Sequence, residues 1–106
     1  MAPTTEASQS LRETLSARRG EIVEVLLRYG AHNPRVFGSV ARGDAMASSD
    51  IDLLVDLEPH RGNELMRVAG IGEELSLLMG VRVDVVTASL LRDPVSRTAL
   101  ADAVSL

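Results

Sequence analysis

Residues 37–57 read FGSVARGDAMASSDIDLLVDL. The second half is a run of Ile, Leu and Val interrupted by Asp50, Asp52 and Asp56. Such β-branched and aliphatic content predicts a strand. Side chains alternate faces along a strand, so Ile51, Leu53, Val55 and Leu57 share one face and Asp50, Asp52, Leu54 and Asp56 the other. The first face is uninterrupted and apolar and is expected to meet the core. The second carries carboxylates at the strand's beginning, where an uncompensated charge is costly to bury. Upstream, Arg35 to Phe37 reads as a short strand stopped by Gly38. A short helix through Arg42 is expected to follow, with Ser39 as its N-cap and Gly43 as its end. Residues 44–50 read as a polar loop.

The pattern outward from this stretch alternates helix and strand. Leu11, Leu15, Ile22, Val25, Leu26 and Tyr29 recur at helical spacing, which predicts one helix from Leu11 to Tyr29, weakened by Gly20 and capped by Gly30. Asn63 is a candidate cap for a helix to Met79, whose apolar face holds Leu65, Val68, Ile71, Leu75, Leu78 and Met79. Gly80 ends it. Val81 to Thr87 reads as a third strand, with Val81, Val83 and Val85 on one face and Arg82, Asp84 and Val86 on the other. Asp93-Pro94 reads as the start of a last helix through Val104. The fold class is therefore α/β, in the α+β sense of a small sheet flanked by helices. Residues 1–9 read as a flexible lead-in and 10–106 as one domain.

Composition narrows the chemistry. The chain has 106 residues, no cysteine, and a formal net charge of −4. It therefore lacks a disulfide framework, a thiolate zinc site and a Cys nucleophile. Every basic side chain is Arg, so a Walker-type phosphate loop and lysine Schiff-base chemistry are both excluded. The acidic balance makes direct nucleic-acid binding an unfavoured expectation. No apolar run reaches the length of a membrane span, and the first ten residues lack the charged and apolar regions of a signal peptide. A cytoplasmic location is expected.

If the second and third strands pair with apolar faces aligned, Asp84 lies beside Asp50 and Asp52. Three clustered carboxylates repel one another, and a divalent cation resolves that conflict. Oxygen-only ligands point to Mg²⁺, or Mn²⁺, rather than zinc. Gly38 permits close approach of a ligand to the backbone, and Ser39 offers a hydroxyl and N–H groups to phosphate oxygens. An anion site beside a carboxylate–metal site suits a nucleoside triphosphate and two-metal phosphoryl chemistry. The remaining polar residues have plainer readings. Asp44 belongs to a turn, Asp56 to the surface, and Arg82 is an ion-pair partner for Asp84. His32 and His60 are solvated, and Tyr29 is a helix-end core residue.

As a set, Gly38-Ser39, Asp50-x-Asp52 and the later Asp84 resemble the signature of the minimal nucleotidyltransferases, a branch of the DNA polymerase β-like superfamily. The ARGDA…SDIDLLVD context is similar to the short MNT antitoxins encoded beside HEPN-domain toxins. The resemblance implies a minimal polymerase β-like fold with a small mixed sheet. It implies transfer of AMP from Mg-ATP to a tyrosine of a HEPN ribonuclease toxin, which silences it. Asp50, Asp52 and Asp84 would be the catalytic, metal-binding carboxylates for two ions. Gly38, Ser39 and Arg42 would bind the nucleotide, and Asp84 would help deprotonate the acceptor. Two alternatives stay open: nucleotide addition to tRNA 3′ ends, and neutralisation of a partner by binding alone.

Overall fold

The computed structural model describes residues 4–90 and 103–106. Thr5 opens the first helix: it is extended, and its side chain accepts the N–H of Ser8, as an N-cap should. Helix α1 spans Glu6–Ala17 and α2 spans Arg19–Arg28. The stretch read as one helix is thus two, bent at Arg18 (φ −103°, ψ 13°) beside Gly20. Hydrogen bonding continues through the bend, from Arg18 N–H to Thr14 O and from Ile22 N–H to Arg18 O. The expected apolar face survives it, with Leu15, Ile22, Val25 and Leu26 all buried. Helix α1 also begins inside the stretch expected as a lead-in, and Ser8 there is fully buried.

Strand β1 runs Ala31–Phe37 and is longer than expected. It pairs antiparallel with β2, Ile51–Leu57, with a register shift between His32 and Arg35. Asn33 (φ 54°) and Pro34 occupy that shift. Proline lacks the N–H that a ladder needs, so a bulge is where it can sit within a strand. Helix α3, Gly38–Arg42, follows directly, and Gly43 ends it in the left-handed region. Helix α4, Glu64–Met79, starts at Asn63, whose side chain accepts the Met66 N–H, and stops at left-handed Gly80. Both ends match the sequence reading.

Helix α4 is the crossover that lets β3, Val83–Val86, pair parallel with β2. A short 3₁₀ turn covers Ala88–Leu90, and strand β4, Val104–Ser105, pairs antiparallel with β1. The sheet order is β3-β2-β1-β4, a mixed sheet as the family resemblance implied. Val104 is therefore strand and not helix. Ala103 is not helical either, and the rest of the expected last helix lies outside the described residues. One core forms between α1, α2 and α4 and the sheet face bearing Val36, Ile51, Leu53, Val55, Val83 and Val85. The other face carries Asp52 and Asp84. Leu54 shares that face but is only 2% exposed, so the carboxylate face is covered beyond the strand's beginning.

Candidate active site

Three elements converge on Asp52. The β1–β2 register sets Phe37 opposite Asp52, and the β2–β3 register sets Asp84 opposite it on the other side. The parallel pairing therefore places in contact two aspartates far apart in sequence. Asp50 precedes β2 and is partly exposed. The residue before β3 is anchored here by the Ile51 N–H, which donates to Arg82 O at 2.9 Å.

Gly38 follows extended Phe37 with φ +72°. A Cβ there would lie 2.3 Å from Asp52 Oδ2. The glycine is needed for two reasons: the left-handed backbone and the carboxylate pressed against it. What approaches this backbone is the protein's own carboxylate, a neighbour that the sequence reading had not assigned to it. Ser39 is not the cap it was expected to be. The cap position is Phe37, with no side-chain cap bond, and Ser39 lies within the helix. Its carbonyl accepts the N–H groups of Gly43 at 2.9 Å and Asp44 at 3.0 Å, closing the turn into the loop.

Electrostatics single out Asp52. Its carboxyl is raised above its ordinary value, first by burial and then by the charges of Asp84 and Asp50, with Arg42 opposing. Arg42 is itself drawn to Asp44, Nε to Oδ2 at 3.2 Å. Arg82 takes the outer carboxylates: its Nε is 3.1 Å from Asp84 Oδ1 and 3.9 Å from Asp50 Oδ2. The sequence reading of Arg82 as the partner of Asp84 thus agrees with the geometry. Asp56 is not merely a surface charge. Asn33 donates to it at 2.9 Å and Arg35 at 2.6 Å, and its carboxyl is lowered, chiefly by the Asn33 bond.

The loop to Asp50 is braced by residues that the sequence reading had placed in or near the lead-in. Thr5 N–H donates to Gly43 O at 2.9 Å. Ser8 Oγ accepts the Ala45 N–H at 2.7 Å, and Thr5 Oγ1 donates to Ala45 O at 2.6 Å. Arg12 donates to the carbonyls of Val40 and Ala41 at 3.0 and 2.8 Å, satisfying the end of α3. The one local signal was Thr5 followed by Glu6, a capping residue before an acidic first turn. Directly after these anchors Met46 stands 71% exposed.

The donor chemistry suits a hard divalent cation. Asp52 and Asp84 bring carboxylate oxygens from paired strands, Asp50 lies two residues before Asp52, and among the groups acting on the Asp52 carboxyl only Arg42 opposes the rise. Among the described residues, no three His, Asp or Glu side chains stand close enough together to hold a metal ion by themselves. Mg²⁺ commonly takes only one or two carboxylates and completes its shell with water and substrate phosphates. The beginning of this face is solvent-exposed, with the Asp50 and Asp84 side chains each 41% exposed.

Residues 16–106 match the family model described as Nucleotidyltransferase domain. Protein adenylyltransferase MntA of Thermococcus cleftensis is 35% identical over 96 residues, covering 91% of this chain and 92% of that protein. A Methanocaldococcus jannaschii protein named "Putative protein adenylyltransferase" is 36% identical over 67 residues, 63% of this chain and 70% of its own. A solved structure described as "putative minimal nucleotidyltransferase" superposes with a TM-score of 0.73 at 44% identity, covering 89% of this chain and 94% of that one. No described helix is long and apolar enough to cross a membrane.

Proposed function

We propose, from the premise that this chain belongs to the nucleotidyltransferase domain family as a minimal nucleotidyltransferase, that it transfers AMP from Mg-ATP to a tyrosine hydroxyl of a cognate HEPN ribonuclease toxin. It acts in this way as a cytoplasmic antitoxin. The observation that carries the reading is the β2–β3 register, which sets Asp84 beside Asp52, with Gly38 against the Asp52 carboxylate. The likeness to a protein adenylyltransferase supports AMP as the group and a protein as the acceptor. The open face supports an acceptor too large for a closed pocket.

Asp50, Asp52 and Asp84 are the residues that would hold the metal, as two Mg²⁺ ions or Mn²⁺ in their place. When bound, the metal supplies positive charge against the triphosphate and makes the acceptor hydroxyl more acidic. Gly38 and Ser39 meet the phosphates from the end of β1, and Arg42 offers its planar guanidinium to them. The tyrosine oxygen forms a bond to the α-phosphorus, and the bond from that phosphorus to the pyrophosphate oxygen breaks. Asp84 receives the hydroxyl proton and pyrophosphate departs. The modified tyrosine keeps a phosphodiester, and the toxin loses its ribonuclease activity.

The test is intact mass of the HEPN partner after incubation with this protein, ATP and Mg²⁺, with Asp50→Asn/Asp52→Asn as control. The expected result is a gain of whole adenylyl units, absent with the double variant. No gain, together with pyrophosphate release when RNA is added, would move the acceptor to tRNA. Tight complex formation with no turnover would leave neutralisation by binding.

A further inference from the structure

Arg82 differs from the other arginines around this site. Arg12 is tied to backbone carbonyls, and Arg42 is turned to Asp44. Among the described residues Arg82 alone bridges two of the three carboxylates, reaching Asp84 at 3.1 Å and Asp50 at 3.9 Å. Its backbone is fixed to β2 through the Ile51 N–H bond at 2.9 Å. Its side chain is 72% exposed. An ion pair so exposed is weak and opens readily.

We propose that Arg82 is a built-in counter-ion, which holds Asp50 and Asp84 in the metal-free protein and must be released before a divalent cation can take them. The guanidinium lies against one oxygen of each carboxylate and sets a like charge where a cation would sit, so the two compete for this pair of aspartates. The apparent metal affinity is therefore reduced by the fraction of molecules in which the arginine is engaged. The consequence is selective: a lone cation competes with Arg82, whereas a cation arriving with a triphosphate brings further ligands and displaces it. Asp52 stays unpaired by this arginine, so one carboxylate remains available to begin the exchange.

This inference rests on the reading of Asp50, Asp52 and Asp84 as the metal ligands, and the test separates the two. Mn²⁺ binding to the full chain without nucleotide is followed by electron paramagnetic resonance of the free ion. Arg82→Gln is expected to bind Mn²⁺ about two- to fivefold more tightly than the parent, the scale of an exposed ion pair. Arg82→Lys, which keeps the charge, is expected to stay near the parent. Arg61→Gln makes the same change in net charge but removes a pair with Glu58 beyond the far end of β2, and is expected to change nothing. In the unaltered protein, the Arg82 Nε–H resonance is expected to move on Mg²⁺ addition. Unchanged or weaker Mn²⁺ binding by Arg82→Gln, with binding still lost in Asp52→Asn, would overturn the counter-ion role and leave the metal site standing. No Mn²⁺ binding by any of these proteins would overturn both.

Discussion

Asp52 carries a conflict between stability and chemistry. Burial and two neighbouring carboxylates raise its carboxyl above 3.8, its ordinary value. The folded state therefore binds a proton that the unfolded state has released. Below the unfolded pKa both states are protonated and the group costs nothing. The penalty grows as pH rises through that value and is complete above the folded pKa. Asp52→Asn should thus raise the melting temperature of the metal-free protein at pH 7. That gain should vanish in thermal melts run below the unfolded pKa. The same change should lower AMP transfer by about a hundredfold or more, since charge stabilisation of the triphosphate is lost. Gly38→Ala should fail differently. Left-handed backbone alone costs about 1–2 kcal/mol for alanine, readable in urea unfolding. The displaced carboxylate should also depress activity. Alternation along the second and third strands made it legible in the sequence that Asp52 and Asp84 share a face, and the β2–β3 register pairs them. Gly38 was legible as necessary but not for its chief reason, because its neighbour comes from a different strand.

Helix α4 shows where local preference and tertiary packing part. Glycine in a helix interior costs roughly 0.5–1 kcal/mol relative to alanine. Gly20 in α2 faces open space, so Gly20→Ala should stabilise the protein by about that amount. Gly70 in α4 should behave in the opposite way. A Cβ there would lie 2.7 Å from Tyr29 Cε1 and 2.9 Å from its hydroxyl oxygen, which donates to Glu74. Gly70→Ala should destabilise in chemical denaturation, and pairing it with Tyr29→Ala should recover part of the loss. A sequence window cannot distinguish the two glycines, since the distinction is a ring supplied by α2. Caps were readable for the opposite reason. Asn63 bonds three residues away and Gly43 and Gly80 terminate their own helices, so each signal sits beside its effect. Strand β4 was not readable, because two residues, Val104 and Ser105, are strand only by virtue of β1 beside them. The bulge at Asn33-Pro34 likewise hid the first half of β1 behind a proline.

At the scale of the whole molecule, Arg67 ties distant turns together. It is 8% exposed and donates to the carbonyls of Tyr29, Gly30 and Glu58 at 2.8–3.1 Å. It thus joins the α2–β1 connection to the end of β2 from within α4. Arg67→Met should cost about 2–4 kcal/mol in urea unfolding, because the carbonyls lose charged donors together. Lysine should not rescue it, having one nitrogen where a planar fork is used. The carboxylate cluster lies elsewhere, so remaining folded molecules should keep their Mn²⁺ affinity. A different property follows from the exposed loop leading to Asp50. Met46 is 71% exposed there, so its thioether is within reach of peroxide and its sulfoxide disturbs no core. A protein seated over the carboxylates would shield that sulfur. Met66, 73% exposed on the first turn of α4, would stay reactive beyond the other end of β2. The chain thus carries its own oxidation footprint, in which the face covered by an acceptor is recorded by the sulfur that is spared.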